Sequence, residues 1–514
     1  MLQSIASVND VINGIVWGTF GIALLFIAGI VMTAVNKGFQ FTHIKHWMGK
    51  TIGAIFADKH VTAHTDKDDK QISQFQSLCT ALAATIGTGN IVGIATAIIK
   101  GGPGAIFWMW IMAIVGMMTN YSENVLGIYY RRKNDEGEWS GGPMYYLRDG
   151  LGSYKGMKTV GKILSVVFAC FAILASFGIG NLGQINKITL NIESAFFSGV
   201  NAPTFGGVSI VNWIIGLVLM IVGGFIILGG LKRIAAVAER VVPFMAIVYV
   251  VGALIIMCCH FSTIGAMFAS IFKFAFGAKA VAGGAAGTAL SLAIKNGCKR
   301  GIFSNEAGLG SSVMVHSNSN VKEPVKQGLW GIFEVFADTI VVCTMTAIVC
   351  LSSGAIDLST GAPIGDVDSA TLVAKAFGNI FGKPGEWFIA VAVLLFAFTT
   401  VMGWSHYGSK AVEYLAGVKG AKVYRVIFVL LMISGAVMTS SLAWDISDTF
   451  NGLMMIPNLI GVLSLTPLVY KITSNYVERK IKHQGEDIVT IEPILSYDPT
   501  IQAEMAEAVK NGQE

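Results

Sequence analysis

One feature recurs often enough to dictate the fold: stretches of about 18 or more mainly apolar residues, at roughly 13–35, 75–99, 104–130, 160–190, 207–229, 234–259, 285–315, 328–352, 385–408, 423–443 and 449–472. At 1.5 Å per residue, about 20 apolar residues span the roughly 30 Å hydrocarbon layer of a bilayer. Only helices and closed barrels satisfy their backbone there, and these runs have helical length. The expected fold class is an all-α polytopic membrane protein with about 11 transmembrane helices. Composition agrees, since 54% of the 514 residues are hydrophobic and 13% charged, with a mean hydropathy of +0.64. A soluble domain would need more charge to clothe its core. A shorter apolar stretch, 262–276, is interrupted by Lys273 and followed by a Gly/Ala-rich link; it reads as a re-entrant or interfacial helix on the outer side.

Orientation follows from lysine and arginine, which cytoplasmic loops retain. The loops around 37–73, 131–158, 232–240, 318–327 and 405–425 hold 21 of them, whereas the opposite loops hold five: Lys100, Lys273, Lys279, Lys375 and Lys383. The N-terminus is therefore expected outside and the C-terminus in the cytoplasm of a multi-pass protein of the plasma (inner) membrane. The outer loop 353–384 carries Asp357, Asp366 and Asp368. The polar tail beyond about 473 starts basic, ends acidic and reads as a solvated appendage. Residues 1–10 lack a positively charged n-region, so the first apolar run is expected to stay in the mature chain. The seven cysteines show no metal-ligand spacing and read as small packing residues. Nothing favours a nucleic-acid partner.

Two spans carry glycine-rich polar breaks: Ala83-Ala84-Thr85-Ile86-Gly87-Thr88-Gly89-Asn90-Ile91 in the second, and Gly301-Ile302-Phe303-Ser304-Asn305-Glu306-Ala307-Gly308-Leu309-Gly310 in the seventh. Glycines alone can serve close helix packing. Asn90, Asn305 and Glu306 at that depth need more than packing, because polar groups in hydrocarbon are costly unless they face a cavity or a partner. Each break opens a set of five helices, and an odd count inverts the second set in the membrane. The expected layout is an extra N-terminal helix (1–36), a cytoplasmic loop (37–73), a first five-helix repeat (74–259), a second with the outer re-entrant segment (260–472) and a cytoplasmic tail (473–514). Broken helices then meet near the midplane, where half-helix N-termini bind a carboxylate and unwound carbonyls bind a cation.

The strings Thr85-Ile86-Gly87-Thr88-Gly89-Asn90-Ile91-Val92-Gly93, Gly101-Gly102-Pro103-Gly104-Ala105, Gly141-Gly142-Pro143-Met144-Tyr145-Tyr146 and Phe303-Ser304-Asn305-Glu306-Ala307-Gly308-Leu309-Gly310-Ser311 resemble the signatures of the alanine or glycine:cation symporter family. The likeness runs over about residues 10–472. It implies a leucine-transporter-type core of five plus five inverted helices, and sodium-driven uptake of alanine, glycine or, in some members, glutamine. Spacing and periodicity do not choose sodium over protons.

A zwitterionic amino acid needs N–H donors, acceptor oxygens and a shaped wall. Gly87, Thr88, Gly89 and Asn90 can supply unwound backbone and a hydroxyl for the carboxylate, or form a packing kink. The resemblance implies a substrate-contacting glutamine at Gln184, which can otherwise serve as an interhelical bond. Phe303 and Ser304 sit where unwound carbonyls can accept from the ammonium. Trp404 can wall the side chain, or stand as an interfacial tryptophan. For the coupling ion Na+, the resemblance implies a site between the first broken helix and the ninth span: the hydroxyls of Thr399 and Thr400 with carbonyls near Ala83 and Ile86. Threonines in membrane helices also bond their own backbone. Glu334 and Asp338, four residues apart, share a helix face. Asp338 reads equally as part of a second cation site or as partner of a buried base such as Lys295, Lys299 or Arg300, and Glu306 carries the same ambiguity.

The function these residues support is sodium-coupled symport of a small neutral amino acid such as alanine or glycine. Sodium:glutamine and proton-coupled symport are the alternatives. An ion channel fits less well, because its filter is usually built by oligomerisation whereas two unlike breaks lie in one chain here. No enzyme motif such as HExxH or GxSxG occurs in a plausible context, and no obligatory protein partner is implied.

Overall fold

Helix is the only way these apolar runs can hide their backbone from lipid, and the computed structural model, which describes residues 2–65, 70–276, 286–365, 369–438, 442–482 and 491–510, is mostly helical. In chain order the main helices are α1 (Ser4–Val35), α2 (Gln74–Thr85), α3 (Gly89–Gly101), α4 (Gly104–Tyr129), α5 (Lys158–Phe196), α6 (Ile210–Ile227) and α7 (Leu231–Cys259). They continue with α8 (Phe261–Phe276), α9 (Ala286–Asn305) and α10 (Pro324–Ser352), followed by α11 (Lys383–Ala436), α12 (Asp445–Ser464) and α13 (Thr466–Lys482). A last helix, α14, covers Pro499–Lys510. Seven of these are long and apolar enough to cross a membrane singly, and the bent pairs α2/α3 and α12/α13 bring the number to as many as nine, among the described residues. The apolar run at 262–276 becomes α8; the Gly/Ala-rich link after it, together with Lys279, Asp366 and Asp368, lies outside the described residues.

Both glycine-rich segments interrupt helices. Ser73 starts α2 with a reciprocal cap, accepting from the Gln76 N–H while Gln76 accepts from its own. The helix stops at Ile86, where ψ swings to 90°, and α3 resumes at an angle of 54°. In the second segment α9 ends at Asn305. Glu306 then takes φ 56°, a left-handed conformation uncommon for a side-chain-bearing residue, followed by Gly308 at φ 93° and Gly310 at φ 75°. The run expected as one span at 285–315 is thus a helix, a non-helical stretch and a single turn, Val313–His316. A straight α11 of 54 residues would extend roughly 80 Å, far beyond a bilayer. It leaves helical geometry at Gly417, between the two expected runs 385–408 and 423–443.

Close packing brings these pieces together. A Cβ on Gly403 of α11 would lie 2.5 Å from the Ala84 methyl of α2, and one on Gly180 of α5 would lie 2.4 Å from the Trp404 side chain. At the start of α4, a Cβ on Gly104 would meet the Phe274 backbone of α8 at 2.3 Å. Helix α1, longer than the expected 13–35, hangs on α12 through bonds from Asn13 to Asp448 and Thr449 and from the Trp17 indole to the Asp448 carbonyl.

The tail differs from the expected solvated appendage. Residues 491–510 fold back onto the loop that follows α4: the Tyr497 N–H donates to the Tyr129 carbonyl at 2.9 Å, and Leu495 and Met505 bury against Trp139. Isolated apolar residues in a polar stretch, Leu495, Ile501 and Met505, were the available signal.

Because Gly403 is where α2 and α11 touch, Gly403→Ala is expected to cost about 1–3 kcal/mol by overpacking. Gly14→Ala, where an added Cβ meets nothing within 4 Å, is expected to leave stability level or raise it by up to about 1 kcal/mol. Thermal inactivation of the two purified variants beside the parent checks the contrast.

Candidate functional site

The two breaks face one another across a small cavity lined by Thr85, Gly87 and Gly89 from the first, Phe303 and Glu306 from the second, and Ala84, Ile179, Gln184, Thr400, Trp404 and Asn451. Glycine is required where backbones come this close: a Cβ on Gly87 would sit 2.5 Å from the Thr400 hydroxyl, and one on Gly89 would sit 3.1 Å from the Phe303 ring. Gln184 reaches the cavity from α5 just after a π-helical turn, Gly178–Leu182. Its Oε1 accepts from the Thr88 hydroxyl at 3.1 Å and its Nε2 donates to the Ile179 carbonyl at 3.2 Å. Trp404 is 2% exposed, buried in the helix bundle, and lines the cavity together with Glu306. It is a cavity wall and not an interfacial tryptophan. A second cavity of about 670 Å³ lies on the far side of Gly89 and Phe303 and is bordered by Lys100, Lys187 and Arg300. Arg300 lies over the Phe303 ring at 5.6 Å.

Asn90 and Ser304 turn away from the cavity toward one carboxylate. Asp338, fully buried, accepts from Asn90 Nδ2 at 2.6 Å on Oδ1, and from Ser304 Oγ at 2.7 Å and Thr339 Oγ1 at 2.9 Å on Oδ2. Asn90 Oδ1 in turn accepts from the Gly87 N–H at 2.9 Å, which occupies a donor released where α2 ends. Asn305 holds the other break, bonding Thr339 with its Nδ2 and accepting from the Ala307 N–H. Asp338 itself sits in a π-helical stretch, Phe336–Cys343, of α10. The reading of Asp338 as partner of a buried base is corrected: its hydrogen bonds come from neutral donors, and Lys299 pairs with Asp448 at 2.8 Å instead. Glu334, though on the same helix, serves a different cluster, accepting from Asn120 and meeting His316 Nε2 at 3.0 Å.

The expected ion ligands divide. The Thr400 hydroxyl donates to the Phe396 carbonyl of its own helix at 3.0 Å, lies 3.5 Å from the Ile86 carbonyl of the first break and lines the cavity. The Thr399 hydroxyl also bonds its own helix, at the Leu395 and Phe396 carbonyls, but its further neighbour is Met245 Sδ at 3.9 Å. Ala83 is buried within α2, one turn before the break. The sequence reading assigns no site role to Asn451, a cavity-lining residue on α12; the available signal was a carboxamide inside an apolar span. Glu306 is conspicuous in the sequence, but only the fold turns it toward the cavity.

The chain matches the sodium:alanine symporter family model over residues 2–490. It is 42% identical over 472 residues to the sodium/alanine symporter AgcS of Methanococcus maripaludis, covering 92% of this chain and 97% of that protein. It is 36% identical over 499 residues to the probable sodium/glutamine symporter GlnT of Bacillus subtilis, covering 96% and 95%. Among solved structures it is similar to MhsT in complex with L-phenylalanine, with a TM-score of 0.50 and 16% identity over 79% of this chain and 99% of that one, a likeness of fold. With glycine-broken helices meeting at a buried cavity and relatives matched nearly end to end, the chain belongs to the sodium:alanine symporter family and is a multi-pass membrane transporter, not an enzyme.

Proposed function

We propose that this protein takes up a small neutral amino acid, such as alanine or glycine, together with sodium by alternating access. The observation that carries this reading is the cavity between two broken helices, with backbone and hydroxyl groups at one break and the Glu306 carboxylate at the other. A zwitterion fits such a polarity: its carboxylate meets Gly87, Thr88, Gly89 and Gln184, and its ammonium meets Glu306 and the carbonyls around Phe303. Trp404 and Ile179 bound the side chain, and the small volume favours a short one. The names of the relatives, which couple sodium to alanine or glutamine, support the same reading.

Sodium is assigned to two oxygen-rich places. One is Thr400 with the carbonyls of Ile86 and Ala83, joining α11 to the first break. The other is Asp338 with Asn90 and Ser304, where the carboxylate supplies a full charge and touches both breaks. In this reading the chain has 11 spans arranged as two inverted five-helix repeats after one extra helix. It keeps the segment boundaries and the orientation given by its basic loops, with the N-terminus outside the plasma membrane.

Two substitutions test it. Gln184→Leu keeps volume but removes both hydrogen-bonding atoms, and is expected to weaken alanine binding by about 10- to 150-fold, the loss of a hydrogen bond to a charged group. Equilibrium binding to the purified variant reads this, and unchanged affinity would return Gln184 to an interhelical role. Thr400→Val is expected to raise the sodium concentration for half-maximal uptake by about tenfold or more, while Thr399→Val, whose hydroxyl lies beside Met245 and not beside the first break, shifts it less than about threefold. Equal shifts in sodium titrations of uptake would remove Thr400 from the ion site.

A further inference from the structure

We infer that Asn451 is a specificity-determining residue that receives the hydrogen-bond donor of a hydroxyl-bearing side chain, so that serine is preferred to alanine; this rests on the amino-acid transport reading above. Asn451 is 2% exposed, it lines the central cavity, and its Oδ1 is buried with no hydrogen-bond partner among the described residues. Leaving a buried polar atom unpaired is costly, so the sequence keeps a penalty here that an ordinary aliphatic residue would avoid. A ligand that supplies the missing partner relieves it.

The position of Asn451 selects which part of the ligand does so. The two breaks offer their polar groups to the charged ends of an amino acid. Asn451 comes from α12, whose Ser447, one turn earlier on the same face, packs where Gly178 of α5 has no side chain. Ile179 and Trp404 share its part of the cavity wall, with Trp404 seated on Gly180 of the same π-helical turn. This wall of α5, α11 and α12 faces the side chain of the ligand. The neighbours of Asn451 are anchored outward, Phe450 against Phe171 at 6.0 Å and Gly452 against Trp17, which fixes the backbone that carries the carboxamide.

A methyl group leaves Oδ1 unpaired, whereas a hydroxyl donates to it. Because a carboxamide both donates and accepts and a hydroxyl does the same, the pair forms whichever way the amide is turned. Ile179 and Trp404 leave little room beside Asn451, and the shortest side chain that carries a hydroxyl is that of serine. Discrimination by a buried polar group against an analogue lacking its partner is steeper than discrimination by size.

The experiment uses the full chain in liposomes under an inward sodium gradient, with uptake of radiolabelled alanine competed by unlabelled serine, alanine and 2-aminobutyrate. The last of these replaces the serine hydroxyl by a methyl group of similar volume. In the parent, serine is expected to compete at about tenfold lower concentration than alanine or 2-aminobutyrate. In Asn451→Leu the ratio of serine to 2-aminobutyrate is expected to fall to one or below, and Asn451→Ala gives the same reading where leucine prevents insertion. Serine competing no better than 2-aminobutyrate in the parent overturns the inference, as does an unchanged ratio in either variant. Absence of any amino-acid accumulation by the parent is a different result, which removes the transport reading itself.

Discussion

The carboxylate of Asp338 ties the two interrupted helices to each other. One oxygen takes the amide of Asn90 from the first break, the other takes the hydroxyl of Ser304 from the second, and Thr339 completes the set. A carboxylate with no basic partner among the described residues is expensive at membrane depth, so its burial needs every one of these donors and, when charged, a cation. The bond from the Gly87 N–H to Asn90 passes the constraint on to the backbone beside the cavity. What binds near Asp338 therefore bears directly on the shape of the site next to it, which is the physical requirement for coupling two ligands.

Around that junction the fold uses glycine where other proteins use side chains. Gly87 and Gly89 let the first break approach Thr400 and Phe303, Gly180 lets Trp404 close the wall, and Gly403 lets α11 lie on α2. The unwound segments expose backbone donors and acceptors that lipid could never satisfy, which is tolerable only because they line an internal cavity. The left-handed conformation of Glu306 fits the same account: it is strained, non-glycine, and set at the mouth of the second break with its carboxylate held by Ser311.

Much of this arrangement is legible in the amino-acid sequence. Apolar run lengths locate the helices, and glycine flanked by asparagine or glutamate marks both breaks, because those residues have no other reason to lie in hydrocarbon. Direction within a helix is not legible. Thr399 and Thr400 are adjacent and chemically identical and both bond their own helix, yet a rotation of about 100° turns one toward Met245 and the other toward Ile86. Asp338 offers two readings, since a buried acid can seek a base or a set of neutral donors, and only tertiary packing chooses between them. Asn451 does not stand out, because a single carboxamide in an apolar span is also what a helix–helix contact looks like. The folded tail is hidden by its polar composition, where three or four spaced apolar residues are enough to dock a short helix.

The central claim is that sodium and an amino acid bind at neighbouring places between the two breaks and cross together. Sodium influx into liposomes carrying the purified protein, measured with labelled sodium while alanine is supplied or withheld, tests it most directly. Sodium entry that requires alanine and keeps a constant ratio to it across alanine concentrations is the result this account predicts; sodium entry that proceeds equally without alanine would contradict it.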